Sequence, residues 1–350
     1  MFESKKTHGL PNDPSILEYM RSISKADILK PDVVYISEWF DKWLTDYTVH
    51  LQPATIHSYR VNTDCHIKRV LGHLRLSELS FEDCQLFINS LMIGYGIPAP
   101  LKPKTIHNIH GTLHTALKTA VKLDLIKSNP SDGVFLPKVE SYTYNPYNQQ
   151  QLQAFYMRLA KHPKKNVFLF TLFTGMRQSE IIGLTWDCVN LNDCTLNIYR
   201  QLLYNKDTND FYWAPPKGGK SRTLVLNHHA AAILRSLYAE HESIPDDYVF
   251  RTREGTHYTH AGLYDSFKKV TISIGCPKTR FHDLRHTYAV MSLEAGMDPK
   301  TLQYNLGHYS AAFTLDVYCH CIDEMKRKGS EKLDSFFDNL FSSERSNHND

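Results

Sequence analysis

A proline-punctuated, aperiodic segment, NPSDGVFLPKVESYTYNP at 129–146, breaks this chain into two parts with different hydrophobic patterning. Closely spaced prolines without a hydrophobic period permit neither a long helix nor a continuous strand, so the segment reads as a connection between separately folded units. A chain of 350 residues also exceeds what one hydrophobic core usually organises. We place a first domain at 34–138, a linker at 139–147, a second domain at 148–330, and a terminal helix and tail at 331–350. Residues 1–33 are polar, with Pro11, Pro14 and Pro31 interrupting any long helix, and are expected to form a partly ordered tail.

Ahead of the connection the periodicity is helical. ISEWFDKWLTDY sets Ile36, Phe40, Trp43, Leu44 and Tyr47 at three- and four-residue steps. Pro53 opens a second helix through ATIHSYRVNTDCHIKRVLG, which Gly72 closes. SFEDCQLFINSLM carries Ser80 as N-cap and Asp83 in the capping-box place. KPKTIHNIHGTLHTALKTAVKLDLI predicts a long fourth helix that starts after Pro103. It stops before Asn129 and Pro130, because the residue ahead of a proline resists helix. Four helices without a convincing strand predict a small helical bundle. Thr55, His57 and Arg60 lie near the start of the second helix; Lys104, Thr105, His107 and Asn108 lie near the start of the fourth. Short polar and basic side chains at helix N-termini suit phosphate and base-edge contacts, and equally suit plain exposure to water.

Beyond the connection the patterning is mixed. QQLQAFYMRLA and VFLFTLFTGM predict helices, the second buried and ending near Gly175. TLNIYRQLLY, FYWAPP and SRTLVL have strand composition, with KGGK as a tight turn before the last. From Ala230 onward the chain is again mostly helical. The expected class is mainly α with a small antiparallel β-sheet: a helical bundle followed by an α+β domain.

The net charge of +3 says little about nucleic acid, since local distribution matters more than the sum. Lys102, Lys104, Lys118, Lys122, Lys127 and Lys138 stand against only Asp124 and Asp132. That stretch fits a phosphate-facing surface or an ordinary solvated helix face. Seven cysteines, scattered and without a C-x-x-C pair, fit a reducing cytoplasm. The longest apolar run, around NVFLFTLF, falls short of the ~18 residues that span a bilayer. MFESKKTHGLPNDP lacks the apolar region of a secretory signal.

Two motifs concentrate the chemistry. In TGMRQSEIIGL, Gly175 provides a turn and Ile181, Ile182 and Leu184 anchor the next helix, so Arg177 can project from fixed backbone into a cleft. Glu180 either orients that guanidinium or forms a surface pair worth only ~0.2–0.5 kcal/mol. In HDLRHTYAVMSLEAG, His282 and Arg285 share a helix face; Gly296 closes that helix, and Asp298 with Pro299 opens the next. His282 and His286 allow a helical zinc site. However, H-D-L-R-H lacks the glutamate of H-E-x-x-H and puts an arginine where a cation would be repelled, so no metal ligands are assigned. Cys319, His320 and Cys321 read as packing or surface residues. Downstream, LGH places His308 after a helix-ending glycine, and Tyr318 stands ten residues later in T-L-D-V-Y-x-H.

In this order, TGMRQSEIIGL, HDLRHTYA, LGH and the Tyr318 segment resemble the tyrosine recombinases, the integrases of temperate phages and conjugative transposons, over nearly all the chain after about residue 34. The resemblance implies a core-binding domain at 34–138 that closes over one face of DNA, and a catalytic domain at 148–330. Residues 1–33 then read either as a remnant of an arm-binding domain or as a tail where that domain is missing. It implies Tyr318 as nucleophile, Arg177, Arg285 and His308 on the phosphate, His282 as proton acceptor, and a catalytic lysine on a hairpin between the arginine motifs. Lys217, five residues ahead of Arg222, matches that spacing better than Lys220; Lys220 then becomes a phosphate contact or a solvated turn residue, and Arg222 a DNA contact.

These residue types suit strand transfer. A phenol, with pKa near ~10, attacks phosphorus and later departs more readily than an alkyl alcohol. Planar guanidinium forks meet non-bridging oxygens where charge builds. No P-loop G-x-x-x-x-G-K-[ST] and no carboxylate cluster appears, so neither ATP nor metal nor any other cofactor is expected. Expected partners are double-stranded attachment-site DNA, a homotetramer on that DNA, and DNA-bending and directionality factors, in the cytoplasm at the nucleoid. EKLDSFFDNLF aligns Leu333, Phe336, Phe337, Leu340 and Phe341 on one stripe; by the resemblance it docks on a neighbouring protomer, with its own domain as the alternative. The expected function is a site-specific recombinase that integrates and excises a mobile element. The alternatives are a chromosome-dimer-resolving recombinase or type IB topoisomerase of the same chemistry, a non-catalytic DNA-binding regulator of this fold, and a zinc hydrolase.

Overall fold

The structure, a computed structural model, describes residues 34–94, 99–140, 146–240, 244–307, 330–331 and 333–338. It divides into two compact units, Met1–Ser141 and Tyr142–Asp350. The expected tail at 1–33 and residues 141–145 of the expected linker lie outside the described residues.

The first unit contains α1 (Ile36–Asp46), α2 (Pro53–Asn62), α3 (Lys68–Leu71), α4 (Phe81–Ile93) and α5 (Pro103–Lys122). The second predicted helix is continuous but interrupted by a π-helical turn, Thr63–Ile67. Such a turn widens the hydrogen-bond ladder and rotates the faces of the helical turns beyond it. It buries Thr63 and Ile67, whereas α2 itself buries no residue. Ser80 caps α4 as read from the sequence: its Oγ accepts from Asp83 N at 3.1 Å, and the Asp83 carboxylate accepts from Ser80 N at 3.0 Å.

Helix α5 stops earlier than the next proline requires. Asp124 takes a positive φ of 56°, and Leu125 N donates back to Ala120 O at 3.0 Å. The succeeding segment folds onto α5 through three histidines of that helix. His107 Nε2 donates to Pro137 O at 2.8 Å, His110 Nε2 to Ser131 O at 3.1 Å, and His114 Nε2 to Asp132 Oδ1 at 2.8 Å. Val134 joins the core of this unit, around Trp39, Phe40, Trp43, Phe87 and Leu113. The front half of the proline-rich segment is therefore bundle.

The second unit contains α6 (Gln149–Leu159), α7 (Lys165–Thr174), α8 (Gln178–Ile182), β1 (Val189–Asn190), β2 (Thr195–Ile198), β3 (Gln201–Asn205), β4 (Asp210–Ala214), β5 (Arg222–Val225), α9 (His228–Glu240), α10 (His260–Ser273), α11 (Asp283–Glu294) and α12 (Pro299–Leu306). The strands form two antiparallel sheets, β1-β2-β5 and β3-β4. TLNIYRQLLY thus supplies strands to both, broken at Tyr199 and Arg200. Arg200 is held at the break: its guanidinium lies 4.4 Å from the Trp213 ring and donates to Thr185 Oγ1 at 2.8 Å and Asp187 at 3.1 Å.

Helix α7 is apolar on nearly every side and runs through the core, with Val167, Phe168, Leu169, Phe170 and Leu172 all buried. It ends at Gly175, φ 63°, where an added Cβ would meet the Tyr288 ring at 2.4 Å. Only glycine satisfies both the left-handed turn and that close approach. A smaller cluster of Ala289, Leu293, Leu302 and Leu306 ties α11 to α12. Leu333, Phe336 and Phe337 are exposed in the terminal helical residues; Leu340 and Phe341 lie outside the described residues. Among the described residues no helix is long and apolar enough to cross a membrane.

Candidate active site

The site is built outward from one buried carboxylate. Arg177 is the N-cap of α8, and Glu180, three residues on, accepts from Arg177 N at 2.9 Å and from Arg177 Nη1 at 2.9 Å. Glu180 is only 1% exposed. A carboxylate removed from water needs several partners to remain ionised. Arg222, the first residue of β5, supplies a bidentate pair: Nη1 to Oε1 at 2.9 Å and Nη2 to Oε2 at 2.7 Å. Burial pushes the Glu180 pKa up, but the hydrogen bonds and charge of Arg222, and then Arg177, outweigh it and hold the group down at about 2. Of the two sequence readings of Glu180, the surface pair is excluded by this burial.

Arg222 corrects a further expectation. Rather than contacting DNA, it is 4% exposed, with its fork turned inward on Glu180. The signal is present in SRTLVL, where two-residue alternation sets Arg222 on the same buried face as Leu224 and Leu226.

Three guanidiniums then converge on the end of α12. Arg222 Nε donates to Asn305 O at 2.8 Å, Arg285 Nη2 donates to Leu306 O, and Arg177 Nη2 donates to Gly307 O at 2.8 Å. The last carbonyls of a helix lack partners within it and carry partial negative charge, so cations satisfy them well. Arg285 Nη1 also donates to Gly175 O at 2.8 Å, clamping the end of α7 to the end of α12. Gly307 turns left-handed at φ 62°, and a Cβ there would sit 3.0 Å from Arg222 Nη1. Arg177 and Arg285, far apart in sequence, are thereby brought to consecutive carbonyls. Among the described residues the cluster thus gathers three guanidiniums around one carboxylate, with Arg177 and Arg222 paired to it directly.

His282 is the N-cap of α11 and is only partly buried. That partial burial, and then the charges of Arg285 and Arg280, lower its pKa from 6.5 to about 4. With its pKa below the ordinary value, the ring is neutral at pH 7 and able to accept a proton. Asp283, missed in the sequence, pins the preceding turn by accepting from Arg280 N at 2.7 Å and Arg280 Nη2 at 2.9 Å.

His286 is 5% exposed, with its ring 5.0 Å from that of His282. Burial, then His282, lower its pKa to about 3. Because the folded value lies below the ordinary 6.5, the unfolded chain takes up the proton first. Stability is full above 6.5 and is lost as pH falls towards the folded value. Unfolding free energy measured by denaturant titration should fall by about 2 kcal/mol more in the wild type than in His286→Phe between about pH 7 and about pH 4.5. Equal pH dependence of the two proteins would contradict it. His282 and His286 are the pair that sequence spacing allowed as zinc ligands. No group of three or more potential metal ligands occurs among the described residues.

Lys217 and Lys220 are both exposed on the loop between β4 and β5, where Gly218 and Gly219 take φ of 97° and 73°. With Lys300 and Tyr304 of α12 they line a groove of about 500 Å³ that reaches Arg222 and Gly307. Both lysines border it, so its lining does not choose between them. His308 and Tyr318 lie outside the described residues; Gly307 is the last described residue before them.

In the first unit, Arg60, Lys104, Thr105 and Asn108 are exposed, while Thr55 and His57 are half-buried. His107 uses its Nε2 on Pro137 O. Asn62 Nδ2 donates to Thr112 Oγ1 at 2.9 Å and to Asn108 O at 3.4 Å. The end of α2 therefore meets the first half of α5.

The profile of the phage integrase family matches residues 150–325, and that of the phage integrase N-terminal SAM-like domain matches residues 35–92. The chain is 24% identical over 349 residues to a tyrosine recombinase XerC-like protein of Caldanaerobacter subterraneus subsp. tengcongensis, a match covering 91% of this chain and 88% of that protein. It is 27% identical over 255 residues to the transposase of transposon Tn916 from Enterococcus faecalis, covering 65% of this chain and 62% of the transposase. In fold it resembles the Tn1549 transposon integrase, solved with a circular intermediate DNA, at a TM-score of 0.73 and 21% identity over 85% of this chain and 99% of that one. With the arginine cluster seated inside the matched region, this chain belongs to the phage integrase family of tyrosine recombinases.

Proposed function

We propose that this chain is a site-specific DNA recombinase that integrates and excises a mobile element through a covalent 3′-phosphotyrosine at Tyr318. The observation that supports this most is the meeting of Arg177 and Arg285 on the carbonyls of Gly307 and Leu306, with neutral His282 on the helix that bears Arg285. In the proposed step the Tyr318 oxygen forms a bond to phosphorus and the bond from phosphorus to the 5′ oxygen breaks. His282 accepts the phenolic proton, and Lys217 donates one to the departing 5′ oxygen. Arg177, Arg285 and His308 hold the non-bridging oxygens as charge accumulates there. A second DNA end reverses the sequence and releases the tyrosine. Every step uses protein groups alone.

Attachment-site duplex DNA is the proposed substrate, and a homotetramer on that DNA the proposed assembly. The bundle at 34–138 serves as core-binding domain and the chain acts in the cytoplasm. DNA-bending and directionality factors are proposed partners. The similar Tn1549 transposon integrase was solved with a circular intermediate DNA. Resolution of chromosome dimers by the same strand-transfer chemistry is the second reading. Incubation with a nicked suicide duplex carrying an element end should trap a covalent adduct in the presence of EDTA, and peptide mapping should place it on Tyr318. An adduct on another tyrosine reassigns the nucleophile. Trapping only on chromosomal resolution sites favours the second reading, and no adduct on any such duplex defeats both.

A further inference from the structure

We propose that Arg222 is a positioning residue for the reaction, holding the Arg177 guanidinium in place through Glu180 and holding the end of α12 in place through Asn305. The inference rests on the recombinase reading and adds a residue to it. Arg222 is too deeply buried to touch DNA. Its fork is nevertheless committed along both edges: Nη1 and Nη2 to the two Glu180 oxygens, and Nε to Asn305 O.

The consequence for Arg177 is a matter of donor arithmetic. Arg222 occupies one whole edge of the Glu180 carboxylate, so Arg177 meets it with Nη1 and its own backbone N–H only. Its Nη2 goes to Gly307 O. A guanidinium has five N–H donors, so the rest remain without protein partners among the described residues, on a side chain 17% exposed. Without Arg222, Glu180 would be a buried carboxylate with a single cation, free to draw Arg177 into the bidentate pair and away from the surface.

Arg222 also joins three pieces of chain that must stay in register. It begins β5, five residues after Lys217. It grips α8 through Glu180, and it grips α12 at Asn305. Gly307 lies directly against it. A lysine could supply the charge but not three donors in one plane.

The test is single-turnover adduct formation at saturating suicide duplex, beside DNA affinity and thermal unfolding. Arg222→Lys keeps the charge and should fold; Arg222→Ala is the harsher variant. Arg222→Lys should lower the cleavage rate by about 10–100-fold, the scale of an ångström-sized misplacement, with DNA Kd changed by less than about twofold. A substrate with a 5′ sulfur leaving group, which needs no proton, should rescue Lys217→Ala but neither Arg222 variant. A wild-type cleavage rate in folded Arg222→Lys overturns the proposal. So does a loss that merely tracks DNA affinity, and so does full rescue by the sulfur substrate. If the wild type itself forms no adduct, the recombinase reading fails, a result visible without any variant.

Discussion

Arg285→Ala is expected to lower the rate of strand cleavage by roughly 10²–10³-fold, the usual loss when one donor to a developing oxyanion is removed. DNA affinity should change far less, because duplex binding is spread over many phosphate contacts. Arg285 is 2% exposed and its guanidinium donates to Gly175 O and Leu306 O, so it is already anchored before substrate arrives. An arginine prepared in this way loses little entropy when a phosphate meets it. Truncation also leaves two buried carbonyls without their donor, at about 1–3 kcal/mol each. Cleavage should therefore be measured well below the unfolding midpoint, with single-turnover kinetics and a binding isotherm on the same preparation. Parallel losses of cleavage and binding would reduce Arg285 to an affinity residue.

Glu180→Gln is expected to destabilise the second unit by about 3–5 kcal/mol, the range for breaking one partner out of a buried ion pair. The carboxylate accepts from Arg177 N, Arg177 Nη1, Arg222 Nη1 and Arg222 Nη2. A glutamine of the same shape offers one acceptor oxygen and turns an NH₂ towards groups that are themselves donors. For a unit of this size the midpoint should fall by roughly 10 °C, read by calorimetry. A midpoint within a degree of wild type would mean the cluster relaxes at no cost. The pH signature separates this group from the histidines. With its pKa lowered from 4.5 to about 2, Glu180 contributes fully above the ordinary carboxylate range and loses that contribution progressively as pH falls from about 4.5 to about 2. Acid sensitivity nearer neutrality belongs instead to His286, and to His282 in the same direction.

Local chemistry was readable from the linear chain wherever neighbours in sequence are also partners in space. The Ser80 and Asp83 capping box, the Asp298 cap that accepts from Lys300 N and Thr301 N, and the glycine-ended helices at Gly175 and Gly307 each close hydrogen bonds within four residues. Period alone separated the helical first unit from the mixed second one. The motifs around Arg177 and Arg285 carried the family, because their order and residue types survive without coordinates. Folding decided the rest. Whether Glu180 formed a surface pair or a buried hub depended on β5 delivering Arg222, 42 positions away. TLNIYRQLLY became two strands because Arg200 found Thr185, Asp187 and Trp213, which no period encodes. The carbonyls of Asn305, Leu306 and Gly307 were drawn to three arginines of three different elements. Burial removes water as the alternative partner, so each charged or polar group must take what the packed core brings within reach, and that choice is made in three dimensions.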